Sequence, residues 1–179
     1  MAGRERWVLE TKRAETECYA SLHGWRVGAM RYGISAAALV MREDRILLVN
    51  HREPGCYDFW LPPGGKLEGS ESIFDCARRE TLEETGLLVE PDRILYVQEF
   101  AEPGYHFVKF FILCSGFSGE LTLANRDADE SFLVDAAFFA REQLQGMDVR
   151  PEVLTGQFWA DLEAGLPQAR YLGLERIEF

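Results

Sequence analysis

Apolar residues recur along the chain in short runs that predict buried β-strands before and after one central helix. The runs at 34–41 and 46–49 are separated by the charged residues 42–45. Continuous apolar runs joined by a short polar turn are typical of a hairpin with well buried strands. We therefore expect the two runs to pair with each other.

Later apolar runs predict a second hairpin and the end of the domain. The runs at 94–100 and 106–114 are joined through Pro103-Gly104, a dipeptide typical of turns. The remaining elements are predicted as a strand, a short helix, a second helix with an apolar stripe, and a last strand or extended tail, at 132–139, 141–144, 151–165 and 171–179.

The central helix is predicted over residues 70–85 by its ends and its apolar spacing. Ser70 or Ser72 can accept bonds from the free N–H groups of a first turn, so we expect the helix to begin near Ser70. Gly86 follows Thr85, where a left-handed residue ends many helices. One side is apolar and carries Ile73, Phe74, Ala77 and Leu82.

Length and net charge limit the number of domains and the kinds of partner that this chain can have. A chain of 179 residues is long enough for one domain with a full core and short for two, so we expect an N-terminal extension at 1–30 and one domain at 31–179. The net charge of −11 argues against a nucleic-acid partner. No run resembles a secretory leader or reaches the length of a membrane span, so we expect a cytoplasmic protein without a membrane partner.

Cysteine spacing favours thiols over a disulfide framework. The four cysteines are widely separated and form no C-x-x-C pair. With no leader predicted, we expect buried reduced thiols. They are Cys18, Cys56, Cys76 and Cys114.

Three carboxylates crowd one end of the central helix on the same face, at Glu80, Glu83 and Glu84. Like charges at these spacings destabilise a helix by roughly 0.2–0.5 kcal/mol per pair. A bound cation therefore explains the cluster better than a solvated helix face does. Oxygen ligands with room for water suit Mg²⁺ or Mn²⁺ rather than Zn²⁺.

The stretch around these carboxylates resembles the Nudix box, Gly-x5-Glu-x7-Arg-Glu-U-x-Glu-Glu-x-Gly-U, where U is a bulky aliphatic residue. The first U position departs from the pattern because it holds Thr81, which concerns local packing rather than the metal site. The preceding Trp60-Leu61-Pro62-Pro63-Gly64 is similar to the usual lead-in. The positions that agree in register are Gly65, Glu71, Arg79, Glu80, Glu83, Glu84, Gly86 and Leu87.

The resemblance implies an α/β fold, an α/β/α sandwich with a mixed β-sheet. It also implies an enzyme, a pyrophosphohydrolase that uses Mg²⁺ or Mn²⁺ to hydrolyse the diphosphate linkage of a small nucleotide. The implied metal ligands are Glu80, Glu83, Glu84 and the backbone carbonyl of Gly64, and the implied catalytic residues are Glu83, Glu84 and Glu130. The structural positions are Gly65, Glu71, Arg79 and Gly86, with Arg79 orienting Glu71.

The sequence does not decide which glutamate is the general base. Glu83 is either a metal ligand or the group that orients the attacking water. Glu130, in a polar loop, resembles the loop acid that some Nudix enzymes use as a base. Glu99 and Glu102 are further candidates.

Substrate contacts are predicted at four residues outside the acidic cluster. Arg52 ends a strand where Nudix proteins commonly place an arginine against phosphate, and Lys66 follows the glycine turn. Pro103 resembles the ADP-ribose subfamily, whereas Tyr105 resembles the diadenosine-polyphosphate subfamily.

A compound in which a nucleoside diphosphate is linked to another group is therefore favoured as substrate, with ADP-ribose or a nucleotide sugar first. The alternatives are hydrolysis of a nucleoside triphosphate or a diadenosine polyphosphate, and a module that senses nucleotide without cleaving it. The expected partner is the small nucleotide itself, and a homodimer is left open.

Overall fold

The computed structural model describes residues 30–125 and 131–177, and within them the chain forms nine strands, two α-helices and two short 3-10 helices. The 3-10 helices are Arg141–Leu144 and Glu152–Thr155. The other elements are β1 (Arg31–Leu39), β2 (Met41–Arg42), β3 (Arg45–Glu53), β4 (Tyr57–Leu61), β5 (Gly64–Lys66), α1 (Ile73–Thr85), β6 (Leu88–Glu102), β7 (Tyr105–Ser118), β8 (Leu133–Ala140), α2 (Gln157–Glu163) and β9 (Arg170–Arg176).

The N-terminal extension expected at 1–30 lies outside the described residues except for Met30. The proposed division at residue 31 therefore stays a prediction. Neither α-helix in the described part of the chain has the length and apolar character needed to cross a membrane.

The larger sheet is mixed and has the strand order β5-β1-β7-β6-β9. Its centre is the parallel pair β1 and β7, which runs in register from Arg31 opposite Tyr105 to Leu39 opposite Leu113. β6 and β7 form the antiparallel hairpin predicted around Pro103-Gly104, and β9 adds in parallel to β6. Both strands of the hairpin extend beyond the runs at 94–100 and 106–114.

The smaller sheet is built around β3, and it shows that the first predicted hairpin is wrong in its pairing. β3 pairs with β8 and with β2 and β4, whereas β1 belongs to the larger sheet. The tight turn falls where it was expected, but only the two residues of β2 pair across it. The chain changes sheets at Val40, whose carbonyl accepts the N–H of Leu47 at 2.9 Å.

Local signals place both ends of α1. Ser72 is the N-cap, and its Oγ accepts the N–H of Asp75 at 3.1 Å, so the helix begins slightly later than the expected start near Ser70. At the other end Gly86 adopts a left-handed conformation with φ 72°, and its N–H donates to Leu82. The helix ends at Thr85, as the sequence predicts.

Two apolar clusters pack on opposite faces of the larger sheet. Ala36 and Ala38 of β1 lie in the cluster that contains α1, whereas Ala37 and Phe111 lie in the cluster that contains α2. The small side chains of Ala36 and Ala38 are completely buried where α1 packs against β1. The result is the predicted α/β/α sandwich with a mixed sheet.

Two further expectations need correction. Cys56 is disulfide-bonded, so the expected reduced thiol is wrong at this position, whereas Cys76 and Cys114 are buried free thiols. The predicted helix over 151–165 is divided at Gly156, whose backbone (φ −147°, ψ −85°) is not helical, into a 3-10 helix and α2.

Candidate active site

The glycine turn brings β5 close to both β1 and α1. Gly64 has φ 155°, and a Cβ atom at this position would overlap the backbone of Ala36 and Ala37. Its N–H donates to Oε2 of Glu84 at 2.9 Å. A side chain at Gly65 would overlap the carboxylate of Glu80. Gly64 therefore lets β5 lie directly against β1, and Gly65 lets it lie directly against a carboxylate of α1.

Arg79 links the acidic residues of this region to one another. Its guanidinium makes two bonds to Glu71, from Nε at 3.1 Å and from Nη2 at 2.7 Å. Nη1 donates to Glu80 at 3.0 Å and to Glu83 at 2.9 Å. Nη2 also donates to the carbonyl of Lys66 at 3.1 Å, which connects the helix to β5.

Because of these contacts and of burial, the carboxyl groups of Glu71 and Glu80 have very different pKa values. The hydrogen bonds from Arg79 lower the pKa of Glu71 to about 2. Burial, followed by the charge of Glu84, raises the pKa of Glu80 to about 7. The hydrogen bonds to Glu71, with smaller contributions from the charge of Glu80 and the hydrogen bonds to Glu83 and Glu80, raise the pKa of Arg79 above its ordinary value.

Buried like charges make this region suitable for a cation. Glu80 is 8% exposed and Glu84 only 3%, and both are among the few buried charged residues of the described chain. Burying two neighbouring carboxylates is costly unless positive charge compensates them. The donors are all oxygens, which suits Mg²⁺ or Mn²⁺. The residues present therefore fit a divalent cation.

Arg79 supplies part of that positive charge in this structure. Within residues 30–125 and 131–177, no three His, Cys, Asp or Glu side chains are arranged as a ready metal-binding group. The contacts of Arg79 with Glu80 and Glu83 account for this arrangement, because they direct both carboxylates to the guanidinium.

The predicted substrate contacts are distributed unevenly. Lys66 and Tyr105 meet, with Nζ of the lysine 5.1 Å from the centre of the tyrosine ring. Pro103 is exposed in the turn between β6 and β7. Arg52 is also exposed, and strand alternation places it on the opposite face of β3 from His51, which faces Glu84. The structure therefore brings two of the four predicted contacts together.

The candidates for the general base differ in their surroundings. Glu83 has a side chain that is 39% exposed and therefore open to water. Glu99 accepts a hydrogen bond from the hydroxyl of Tyr171 at 2.7 Å, and its other carboxylate oxygen lies 2.8 Å from Nε2 of His106. Burial raises the pKa of Glu102. Glu130 lies outside the described residues.

The sequence interpretation missed two charged or titratable neighbours of the glutamates. His51 has no role in the sequence-based prediction, but its Nε2 lies 3.9 Å from Oε1 of Glu84. Lys109 was counted only as part of an apolar strand. A single lysine within the run Phe107-Val108-Lys109-Phe110-Phe111 is a recognisable signal, because such a strand is expected to be buried on both faces.

Comparison with known proteins agrees with this geometry. The model of the NUDIX domain family matches residues 31–156. The chain is 33% identical over 98 residues to the 8-oxo-dGDP phosphatase NUDT18 of Danio rerio, covering 55% of this chain and 29% of that protein. It is 36% identical over 86 residues to the putative ADP-ribose pyrophosphatase YjhB of Bacillus subtilis, covering 45% of this chain and 40% of that protein.

Solved structures are similar over more of the chain. The MutT NUDIX hydrolase of Burkholderia pseudomallei has a TM-score of 0.55 and 29% identity, covering 74% of this chain and 97% of that one. By contrast, the matched segment is less than a third of the length of the NUDT18 relative.

Proposed function

Because this chain belongs to the NUDIX domain family, we propose that it is a pyrophosphohydrolase that cleaves the diphosphate linkage of a small nucleotide with a divalent cation. One observation carries the proposal: Glu80, Glu83 and Glu84 are gathered at one end of α1, against the glycine turn of β5. Nudix hydrolases generally require divalent metal ions.

Glu80 and Glu84 are the proposed metal ligands, together with Glu83 as a ligand or as the base that orients water. The carbonyl of Gly64 is a further proposed ligand. A bound Mg²⁺ or Mn²⁺ would neutralise phosphate charge and lower the pKa of a coordinated water. Glu83 is the most exposed of the three carboxylates, which supports a role in receiving a proton from that water.

The remaining residues of the box hold this arrangement in place. Glu71 and Arg79 connect the loop before α1 to the helix and to the carbonyl of Lys66. Lys66 and Tyr105 are proposed to contact the substrate, the lysine through phosphate and the tyrosine through stacking on an aromatic base. Arg52 and Pro103 remain predictions.

We favour a substrate in which a nucleoside diphosphate is linked to another group, such as ADP-ribose or a nucleotide sugar. The similarity to a putative ADP-ribose pyrophosphatase supports this choice. A nucleoside diphosphate is the second candidate, because the NUDT18 relative is an 8-oxo-dGDP phosphatase. The alternatives to be tested are a nucleoside triphosphate and a diadenosine polyphosphate.

A substrate panel tests the proposal. The protein would be incubated with ADP-ribose, UDP-glucose, 8-oxo-dGDP, ATP and diadenosine tetraphosphate, each with Mg²⁺, with Mn²⁺ or with EDTA, and the products separated by chromatography. We expect ADP-ribose to yield AMP and ribose 5-phosphate in the presence of metal, and the Glu83→Gln variant to show little turnover.

Three results would change the assignment. Turnover that persists in EDTA would contradict the requirement for metal. Preferred cleavage of ATP or diadenosine tetraphosphate would replace the substrate class. Tight binding without turnover of any compound would favour a nucleotide-sensing module over an enzyme.

A further inference from the structure

Three polar side chains form a row across neighbouring strands of the larger sheet, and the box residues do not include them. Ser35 of β1 lies opposite Lys109 of β7, and Lys109 lies opposite Gln98 of β6. Residues opposite one another in a sheet share a face, and here it is the face of Ala37 and Phe111, away from α1. We call Ser35, Lys109 and Gln98 the polar row.

Two members of the polar row carry buried atoms without hydrogen-bond partners. Ser35 is 5% exposed and Gln98 is 8% exposed, and neither Oγ of Ser35 nor Oε1 of Gln98 has a partner within the described structure. The amide nitrogen of Gln98 donates to Glu175 at 3.1 Å, which holds the side chain in position. Buried polar atoms are nearly always hydrogen-bonded, so unpartnered ones point to a place where a ligand or water can bind.

Lys109 adds positive charge between these two side chains. Within residues 30–125 and 131–177 its ammonium forms no hydrogen bond or ion pair, and Nζ lies 5.8 Å from the centre of the Phe111 ring. Burial lowers the pKa of Lys109, and the carboxylates of Glu84 and Glu80 are close enough to oppose that effect. The register of the sheet agrees with this, because Ser35 lies opposite Lys66 of β5, and the N–H of Gly64 in the same strand donates to Glu84.

We propose that Lys109 and Ser35 bind a phosphate oxygen of the diphosphate substrate, and that Oε1 of Gln98 accepts a hydrogen bond from a hydroxyl or amino group of the nucleoside. This inference rests on the proposed function, because it assumes that a diphosphate lies next to Glu80 and Glu84. An ammonium and a hydroxyl are the donors that such an anion requires. Lys109 would thus hold the substrate from the sheet, whereas Glu80 and Glu84 approach it from α1.

A purely structural role explains the polar row less well. A partly buried lysine stabilises a fold when it forms an ion pair, and Lys109 has none among the described residues. A buried serine without a partner also loses hydrogen bonds to water on folding. Both costs are recovered when an anionic ligand binds.

Binding of ADP in the presence of Mg²⁺ tests the inference, with titration calorimetry as the measurement. We expect Lys109→Met to weaken the ADP affinity by about tenfold or more, and Ser35→Ala to weaken it by roughly twofold to tenfold. Arg93→Gln is the matched control, because it removes one positive charge from an exposed position of β6. Its affinity for ADP should equal that of the wild-type protein.

Thermal unfolding separates binding from folding. Lys109→Met removes a partly buried charge without an ion pair, so its melting temperature should equal or exceed that of the wild-type protein. A lower melting temperature with unchanged ADP affinity would overturn the proposal in favour of a structural role. Wild-type protein that binds no ADP would also overturn it.

The same variants distinguish this inference from the proposed hydrolysis. If the wild-type protein turns over a panel compound and Lys109→Met binds ADP equally well, the polar row is not a phosphate site and the hydrolase assignment stands. If ADP affinity depends on Lys109 but no panel compound is cleaved, the polar row is supported and the hydrolase assignment fails.

Discussion

The guanidinium of Arg79 forms ion pairs with three carboxylates, one in the loop before α1 and two in the helix itself. It binds Glu71 through two separate nitrogens, whereas Glu80 and Glu83 share its third nitrogen. Bidentate arginine–carboxylate pairs are the stronger kind. A cation that takes over Glu80 and Glu83 would therefore leave the contact with Glu71 in place, and Arg79 would still connect the helix to the loop.

Replacing Glu71 should make the free energy of unfolding less dependent on pH in the acid range, between pH 4.5 and about 2. The folded protein lowers the pKa of Glu71 to about 2, below its ordinary value of 4.5, so the carboxylate favours the folded state. This contribution is complete above pH 4.5 and is lost as the pH falls to about 2. We expect Glu71→Gln to cost on the order of 1 kcal/mol at pH 7, allowing for solvent screening.

Urea unfolding between pH 2 and pH 7 measures the effect of Glu71. The free-energy difference between Glu71→Gln and wild type should shrink as the pH falls through this range. Glu68→Gln serves as the control, because Glu68 is exposed in the same loop. A difference that stays constant with pH would contradict the assigned role of the carboxylate.

Glu84→Gln should abolish turnover while the fold is kept. The amide oxygen of glutamine can still accept the N–H of Gly64, but it lacks the charge needed to hold a divalent cation. We expect turnover to fall by about a hundredfold or more. Initial rates on the best panel compound, with melting temperatures alongside, would show this. Turnover near the wild-type rate in Glu84→Gln would remove Glu84 from the site.

Sequence spacing predicts residues that are close because they share one helix. Glu80, Glu83 and Arg79 lie within one turn of α1, so a fixed pattern places them together. The polar row is different, because Ser35 and Lys109 meet only through the parallel pairing of β1 with β7. Such pairing depends on the whole sheet, and no spacing along the chain predicts it.

At the scale of elements, the ends of α1 are determined locally. The hydroxyl of Ser72 accepts the N–H of Asp75 and also donates to the carboxylate of Asp75 at 2.7 Å. Ser70 precedes the helix and makes no such cap, so Ser72 is the residue that sets the first turn. Because two candidate caps lie two residues apart, the sequence places this end of the helix only to within a few residues.

Gly86→Ala should destabilise the protein more than Gly69→Ala does. Both glycines have positive φ, 72° and 53°, which costs an alanine about 1 kcal/mol. A Cβ at Gly86 would also lie 2.5 Å from Cγ2 of Thr122 and 2.9 Å from the carbonyl of Glu120, whereas at Gly69 it would meet nothing within 4 Å.

The expected losses of unfolding free energy are therefore about 2 kcal/mol or more for Gly86→Ala and about 1 kcal/mol for Gly69→Ala. Urea unfolding of the two variants compares the same backbone cost with and without a steric clash. Equal losses would show that Thr122 and Glu120 move away freely from the end of α1.

At the scale of the whole molecule, the sequence predicts where the strands and helices lie better than it predicts which strands pair with each other. The strands of the second hairpin are neighbours in sequence and in space, so their pairing follows from one turn. β1 and β3 are separated only by the two-residue strand β2, yet they belong to different sheets. The overall α/β/α arrangement came from the resemblance of the box, because burial patterns alone do not distinguish parallel from hairpin pairing.

Asp161 joins three parts of the molecule. It is 2% exposed and lies on α2, where it accepts the hydroxyl of Tyr96 on β6 at 2.8 Å. It also accepts from Arg170 at the start of β9, at 2.6 Å, and from Gln157 at 3.0 Å. The position of α2 on the larger sheet and of β9 on its edge therefore depends on one carboxylate.

Asp161→Ala should lower the free energy of unfolding by about 3 kcal/mol, because it leaves a buried hydroxyl and a guanidinium without their acceptor. Asp148→Ala is the matched control, since it removes an exposed ion pair with Arg150 and should cost at most about 1 kcal/mol. Urea unfolding at pH 7 measures both. If the two variants lose equal stability, the buried carboxylate does not hold α2 and β9 to the sheet, and apolar packing alone positions them.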